Sequence, residues 1–273
     1  MEYVTVGGVD VPALGFGTAR TDTNEERRRA VSAALDAGYR HIDTAQSYRS
    51  ESAVGDAVRE SAVDREALFV TTKLDRSNRA YDDVSRSTGA SLDRLDMDYV
   101  DLLLIHAPNR DVPHAETFDA MNELREDGFV RHVGVSNFSV DQLRDAIDAS
   151  DAPVLTNQVE HHVRQRQDDL LSTCINEEVM LTAYSPLDRG SSRVTGNDTL
   201  AEIGGRYGKT PTQVALRWLI QQEVVSAIPK ATGREHLEEN IDVFDFELTD
   251  EEMTQLFDLQ GGMIDRVRSA LGL

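Results

Sequence analysis

Short apolar runs alternate with longer amphipathic stretches along most of this chain. The first two runs, near residues 4–6 and 9–11, flank Gly7 and Gly8 and predict a hairpin. Eight strand-like runs follow, at 13–17, 40–43, 68–73, 99–105, 132–136, 154–159, 179–184 and 224–229. Helical patterns lie between them. Thr23 or Asn24 can cap a helix over 25–36, with Gly38 just past its end. Ser139 can cap 140–148, and Thr210 followed by Pro211 opens 211–220. The segment 249–259 reads as an extra C-terminal helix, followed by a Gly-Gly break.

Eight strands alternating with helices imply a parallel sheet. Closure is an inference from the count of eight. The chain has 273 residues, and a β/α barrel typically takes about 250. The expectation is one domain over 1–273: an (α/β)8 TIM barrel with an N-terminal β-hairpin and an extra C-terminal helix.

Charge narrows the function. A net charge of −21 argues against a nucleic-acid partner, which needs a basic face. No apolar run approaches the roughly 20 residues of a membrane span. No signal peptide is expected at the start, and the single Cys174 fits a reducing cytoplasm. Lysine occurs only as Lys73, Lys209 and Lys230; the other basic residues are arginine. An acidic, lysine-poor surface points to a salt-adapted, halophilic protein, because strong salt screens its self-repulsion. Stability and activity in dilute buffer would count against that. The plainer alternative is an ordinary acidic enzyme with an arginine bias. In a chain that avoids lysine, each remaining lysine is a candidate for work arginine cannot do.

Asp43, Lys73 and His106 each stand where a strand run stops, and Tyr48 follows Asp43 in its loop. In a β/α barrel the C-terminal strand ends share one catalytic face. An ammonium beside a phenol favours its ionised form, and an aspartate beside the ammonium keeps it charged. Tyr48 can then donate a proton to a developing alkoxide. His106 can orient the carbonyl oxygen. Taken singly, each has a structural explanation: a helix cap, a loop aromatic, a surface ion pair, a core histidine. Four on three successive strand ends favour chemistry.

The run 38–55, GYRHIDTAQSYRSESAVG, and the segment 128–138, GFVRHVGVSNF, resemble two signatures of the aldo-keto reductase family. Blocks at 14–18, 71–73, 101–106, 157–160, 183–187, 228–230, 239–240 and 242–246 look familial too, so the resemblance covers almost the whole chain. The chain is similar to the small, short-looped prokaryotic members, such as 2,5-diketo-gluconate reductases. The resemblance implies a barrel, NADP (as NADPH) with NAD as an alternative, and reversible reduction of a small-molecule aldehyde or ketone. It places the tetrad on Asp43, Tyr48, Lys73 and His106. It puts Ser136, Asn137 and Gln158 on the nicotinamide carboxamide, and Tyr184 offers a flat face for the ring. The loop 185–190, with Ser185 and Leu187, would cross the pyrophosphate, and Arg189 and Arg193 could add charge there. Gly17, Thr18, Lys230, Thr232, His236, Glu239 and Asn240 complete the expected cofactor contacts. A monomer is expected. No G-x-G-x-x-G follows the first strand. No metal is expected, and His161-His162 reads as structural.

The chain departs from the family twice. Where the family has a Ser or Thr and then an arginine after the lysine of its third signature, this chain has Ala231 and His236. Neutral histidine does not grip a phosphate as arginine does. Thr232, Arg234 or a helix start near Arg234 could compensate. Where many members carry aromatics around the substrate mouth, this chain has Ala19, Asp75 and Ala107, which implies a more open and polar pocket. Two other functions compete. A cofactor-sensing subunit of the kind found with potassium channels can keep the tetrad. A barrel isomerase or aldolase could use Lys73 as a Schiff base, but Asp43 beside it would keep it protonated.

Overall fold

The computed structural model describes residues 1–19, 23–109, 111–231 and 233–259. Strands β1 (Tyr3–Val6) and β2 (Val9–Pro12) pair antiparallel. Their two-residue turn has Gly7 at φ 56° and Gly8 at φ 79°. Both lie in the left-handed region, which glycine enters without steric cost.

Then β and α alternate: β3 (Phe16–Gly17), α1 (Asn24–Asp36), β4 (His41–Asp43), α2 (Glu51–Glu60), β5 (Phe69–Leu74), α3 (Tyr81–Leu95), β6 (Val100–Ile105) and α4 (His114–Glu126). The second half runs β7 (Val130–Ser136), α5 (Val140–Ala149), β8 (Val154–Glu160), α6 (Asp168–Asn176), β9 (Met180–Tyr184), α7 (Ser192–Thr195), α8 (Asp198–Tyr207), α9 (Pro211–Ile220) and β10 (Val225–Ile228). Helices α10 (Arg234–Ile241) and α11 (Asp250–Phe257) follow.

β3 to β10 form one parallel sheet in sequence order. The predicted strand 13–17 is shorter than expected, because the segment changes partner midway. Leu14 bridges to Ala227 on β10, while Phe16 and Gly17 pair with β4. Gly15 N donates to Ala227 O at 2.8 Å, and Ala227 N to Ala13 O at 2.9 Å. That exchange closes the sheet into an (α/β)8 TIM barrel.

Helix starts follow the capping residues. Thr23, Ser139, Thr210 and Thr249 each accept from the N3 backbone N–H, and the N3 Glu or Gln reciprocates. Such caps contribute about 1 kcal/mol each. On the hairpin, Val6 and Val11 pack with Phe69, Leu155 and Met180, residues at the N-terminal ends of β5, β8 and β9. The hairpin therefore seals that end of the barrel. The opposite end, where Asp43, Lys73 and His106 emerge, stays open.

His41 is buried at the start of β4, with Nε2 3.1 Å from Thr71 Oγ1 and no hydrogen bond at Nδ1. Burial pushes its pKa down to about 4, with Asp43 opposing. In the unfolded chain the value returns to about 6.5. Between those values the unfolded chain holds the extra proton, so stability rises with pH there. This contribution is fully present above pH ~6.5 and is lost as the pH falls toward ~4. The expected loss is about 3 kcal/mol from His41 alone. Urea titrations over this range should show it, and His41→Gln should flatten that part of the slope.

Candidate active site

The polypeptide around Tyr48 is fixed from several directions. A 3-10 turn over Gln46–Tyr48 ends at Arg49, whose φ of 54° turns the chain into α2. Ser50 Oγ lies 2.8 Å from Thr44 Oγ1 and 3.3 Å from Thr18 Oγ1, and all three side chains are buried. Gln46 accepts from Asp75 N at 2.8 Å and from Asn78 Nδ2 at 2.9 Å. Glu51, the first residue of α2, is buried. It accepts from Thr72 Oγ1 at 2.6 Å and from Arg94 Nη2 at 2.6 Å. Gly55 lets α2 cross hard against the end of α3, since a Cβ there would sit 2.2 Å from Leu95 O. Turn, helix start and crossing together hold Tyr48 over the barrel mouth.

The structure brings the four expected residues together. Lys73 is 0 % exposed; its ammonium donates to Asp43 Oδ1 at 2.5 Å and to Thr44 O at 2.8 Å. Its Nζ lies 5.0 Å from the centroid of the Tyr48 ring. The Tyr48 and His106 rings meet edge to face, with centroids 5.5 Å apart. Burial pulls the Lys73 ammonium toward its neutral form. The charge and hydrogen bonding of Asp43 and Tyr48 outweigh it, and the net shift is upward. Lys73 is therefore held as a cation, which removes the Schiff-base alternative. His106 is pushed down to about 4, first by burial and then by the Lys73 charge. It is a neutral imidazole near pH 7, able to donate from one nitrogen and accept at the other. Ser47 Oγ stands 3.3 Å from its Nδ1. A neutral imidazole that accepts there carries its proton on Nε2, the tautomer that can donate toward the cavity.

A cavity of about 580 Å³ opens beside this cluster. Asp43, Tyr48 and His106 line one side; Ser136, Asn137, Gln158, Tyr184 and the loop from Ser185 to Leu187 line another. Gly17, Ala19, Arg189, Gly190 and the segment from Ile228 to Lys230 complete its rim. The neutral polar groups are linked to the charged ones. Gln158 Nε2 donates to Asp43 Oδ2 at 2.8 Å, so Asp43 bridges Lys73 and Gln158. Asn137 has φ 63°. Its Nδ2 donates to His106 O at 2.9 Å and to Ser136 Oγ at 3.0 Å, and its Oδ1 accepts from Tyr184 OH at 2.9 Å. Ser136 Oγ donates to Gln158 O at 2.8 Å. Ser136 and Asn137 thus strap the cavity wall together, and a bound carboxamide would have to exchange some of these bonds.

Other expected contacts fall elsewhere. Thr18 is buried behind the wall and donates to Asp43 O at 3.0 Å, so it supports the aspartate. Asp75 lines a neighbouring hollow, where its Oδ1 accepts from Ser77 N at 3.0 Å and Ser77 Oγ at 2.8 Å. Ala107 is buried, and its carbonyl accepts from Arg79 at 3.2 Å. Of the three expected substrate-mouth positions, Ala19 alone lines the cavity. At the far end, His236 is exposed and its Nδ1 lies 3.3 Å from Glu239 Oε2. Glu239 also accepts from Thr210 Oγ1 at 2.6 Å, and Asn240 is buried against Tyr39. Arg234 pairs with Glu238 at 2.7 Å. Arg189, by contrast, does line the cavity, and its guanidinium reaches Glu160 at 3.8 Å. Thr232 lies outside the described residues. His161 is buried against Trp218, with ring centroids 5.5 Å apart.

The family model described as "Aldo/keto reductase family" matches residues 13–260. The chain belongs to this family. It is an NAD(P)H-dependent oxidoreductase that reduces carbonyl groups. It is 39% identical over 249 residues to the glyoxal reductase of Bacillus subtilis (strain 168), covering 91% of this chain and 89% of that protein. A structure provisionally assigned as a 2,5-diketo-D-gluconic acid reductase B superposes with TM-score 0.93 at 44% identity, covering 96% of this chain and 92% of the other. The Bombyx mori aldo-keto reductase, solved in complex with NADP, superposes with TM-score 0.89 at 33% identity, covering 96% and 95%. No helix among the described residues is long and apolar enough to cross a membrane.

Proposed function

We propose that Tyr48 is the general acid of carbonyl reduction, with Lys73, Asp43 and His106 in supporting roles. The observation that carries this reading is the Lys73 ammonium, buried and held by Asp43 at 2.5 Å beneath the Tyr48 ring. As negative charge grows on the carbonyl oxygen, the Tyr48 hydroxyl donates its proton there. The fixed cation stabilises the phenolate left behind. Asp43 keeps that cation in place, and Gln158 holds the second Asp43 oxygen. His106, neutral, donates from Nε2 to the same carbonyl oxygen and sets the angle of approach.

The cavity fits the nicotinamide cofactor: neutral amide and hydroxyl groups on one wall, a phenol face at Tyr184 and an ammonium at Lys230. Bound NADPH would supply the hydride for the carbonyl carbon. Ser136, Asn137, Gln158 and Tyr184 would hold the nicotinamide end, with Gly17 and Thr18 behind it, and Ser185 and Leu187 the pyrophosphate. Lys230, Thr232, His236, Glu239 and Asn240 would hold the adenosine end. NADPH is the proposed cofactor, from the family and from relatives solved with NADP or NADPH. His236 offers a phosphate no bidentate cation, and Arg234 is engaged with Glu238. NADH should therefore be used appreciably. The expected NADPH-over-NADH ratio in kcat/KM is below about a thousandfold, under roughly 4 kcal/mol of discrimination. A larger ratio would overturn this part.

A salt-adapted cytoplasmic monomer remains part of the proposal, supported by the charge of −21 and the scarcity of lysine. The test of the function is NADPH oxidation with a panel of aldehydes and ketones in molar salt. Tight cofactor binding without reduction of any of them would favour a sensing subunit instead.

A further inference from the structure

A second hollow, of about 690 Å³, lies beside the catalytic cavity and shares no lining residue with it. The two meet at His106. Ser47, on the hollow's wall, stands 3.3 Å from His106 Nδ1, and Asp75, on the same wall, acts electrostatically on that ring. Tyr48 sits in sequence between two lining residues, Ser47 and Arg49. The hollow is rich in hydrogen-bonding side chains: Ser47, Ser77, Asn78 and Ser87.

Its charges are not equally committed. Arg94 is bound to buried Glu51, Arg86 pairs with Asp83, and the Asp75 carboxylate faces Ser77. Hydrogen bonds from Ser77 hold Asp75 below the usual carboxylate range. The Arg49 guanidinium, by contrast, makes no hydrogen bond or ion pair with a described residue. The residue is exposed, and its backbone is held in the left-handed region at φ 54°. A non-glycine residue held there costs energy that the surroundings must supply. In a chain of net charge −21, an uncommitted cation directly after Tyr48 in sequence is available to an anionic group.

We infer that this hollow is the subsite for the tail of the carbonyl substrate, and that Arg49 selects tails ending in an anionic group, a carboxylate or a phosphate. The inference rests on the reductase reading of the adjoining site. With the carbonyl oxygen between Tyr48 and His106, a substrate tail directed past Ser47 and Asp75 would enter this polar hollow. Hydroxyl and amide groups along the wall suit a polar chain, and the guanidinium suits a terminal oxyanion, which it grips with two parallel N–H donors. A contact to the tail, made equally in the ground and transition states, lowers KM and leaves kcat nearly unchanged.

The experiment compares matched aldehydes with NADPH: succinic semialdehyde against butanal, and glyceraldehyde 3-phosphate against glyceraldehyde. The readout is the ratio of kcat/KM, anionic over neutral, for wild type, Arg49→Gln and Arg49→Lys in the same buffer. The expected wild-type ratio is about tenfold in at least one pair, carried by KM, as a charge-assisted hydrogen bond gives. Arg49→Gln should bring that ratio close to one, and Arg49→Lys should recover part of it. The pair that responds identifies the anion. A wild-type ratio near one in both pairs overturns the inference. So does a ratio that survives in Arg49→Gln, or a variant that loses both members equally, which is what a merely structural arginine would do. If the wild type reduces none of the four but reduces other carbonyls of the panel, this subsite fails while the reductase reading stands; if it reduces no carbonyl at all, both fail.

Discussion

Replacing Tyr48 by phenylalanine is expected to lower kcat by about 10²–10⁴-fold, the range over which a positioned general acid acts. The ring would stay where it is. It lies against His106 and has the Lys73 ammonium at its face, and neither contact needs the hydroxyl. Lys73 would keep Asp43 Oδ1 and Thr44 O as acceptors. The fold should therefore change little, by about 1 kcal/mol, the net worth of one hydrogen bond. Cofactor affinity should be nearly unchanged, because the lost atom acts on the carbonyl oxygen. Steady-state kinetics with cofactor fluorescence titration separate these effects. A large fall in affinity with kcat retained would assign Tyr48 to binding.

The second large effect is expected at the buried pair. Lys73→Met removes a cation but leaves the Asp43 carboxylate in a site only 2 % exposed. Breaking a buried pair from one side costs roughly 3–5 kcal/mol, because the remaining charge loses its partner. Turnover should fall as well, since nothing then stabilises the Tyr48 phenolate. Adding Asp43→Asn removes the stranded charge. The double variant should recover most of the stability, as replacement of whole buried pairs often does, but none of the activity. Denaturant midpoints and kcat for the single and double variants check both halves. Recovery of activity along with stability would mean that the pair serves the fold alone.

The barrel was legible because its signals are local. Each strand run is bounded by turn or capping residues, and four of the helices begin at capping boxes that can be read within four residues. Asp43, Lys73 and His106 were legible because they stand at or beside strand ends, and the barrel supplies their common face without further information. Contacts that cross from strand to strand were not legible. Gln158 reaches Asp43 from 115 residues away, and Tyr184 closes on Asn137 from 47. No spacing rule announces either. The burial of Glu51 against Arg94 appears only when α2 and α3 are packed. Asp75, expected at the substrate mouth, does not line the catalytic cavity. A short hydrogen-bonded turn to Ser77, together with Gln46 on its own N–H, faces it into the neighbouring hollow.

In the proposed mechanism, proton donation by Tyr48 is the central step. It is most directly tested by a single turnover, with NADPH bound to wild type or Tyr48→Phe before rapid mixing with an aldehyde. The expected result is NADPH oxidation in step with alcohol formation by the wild type. In Tyr48→Phe, with the cofactor bound equally well, that step should be at least ~100-fold slower. A Tyr48→Phe enzyme that turns over at the wild-type rate would contradict the assignment of the proton to Tyr48.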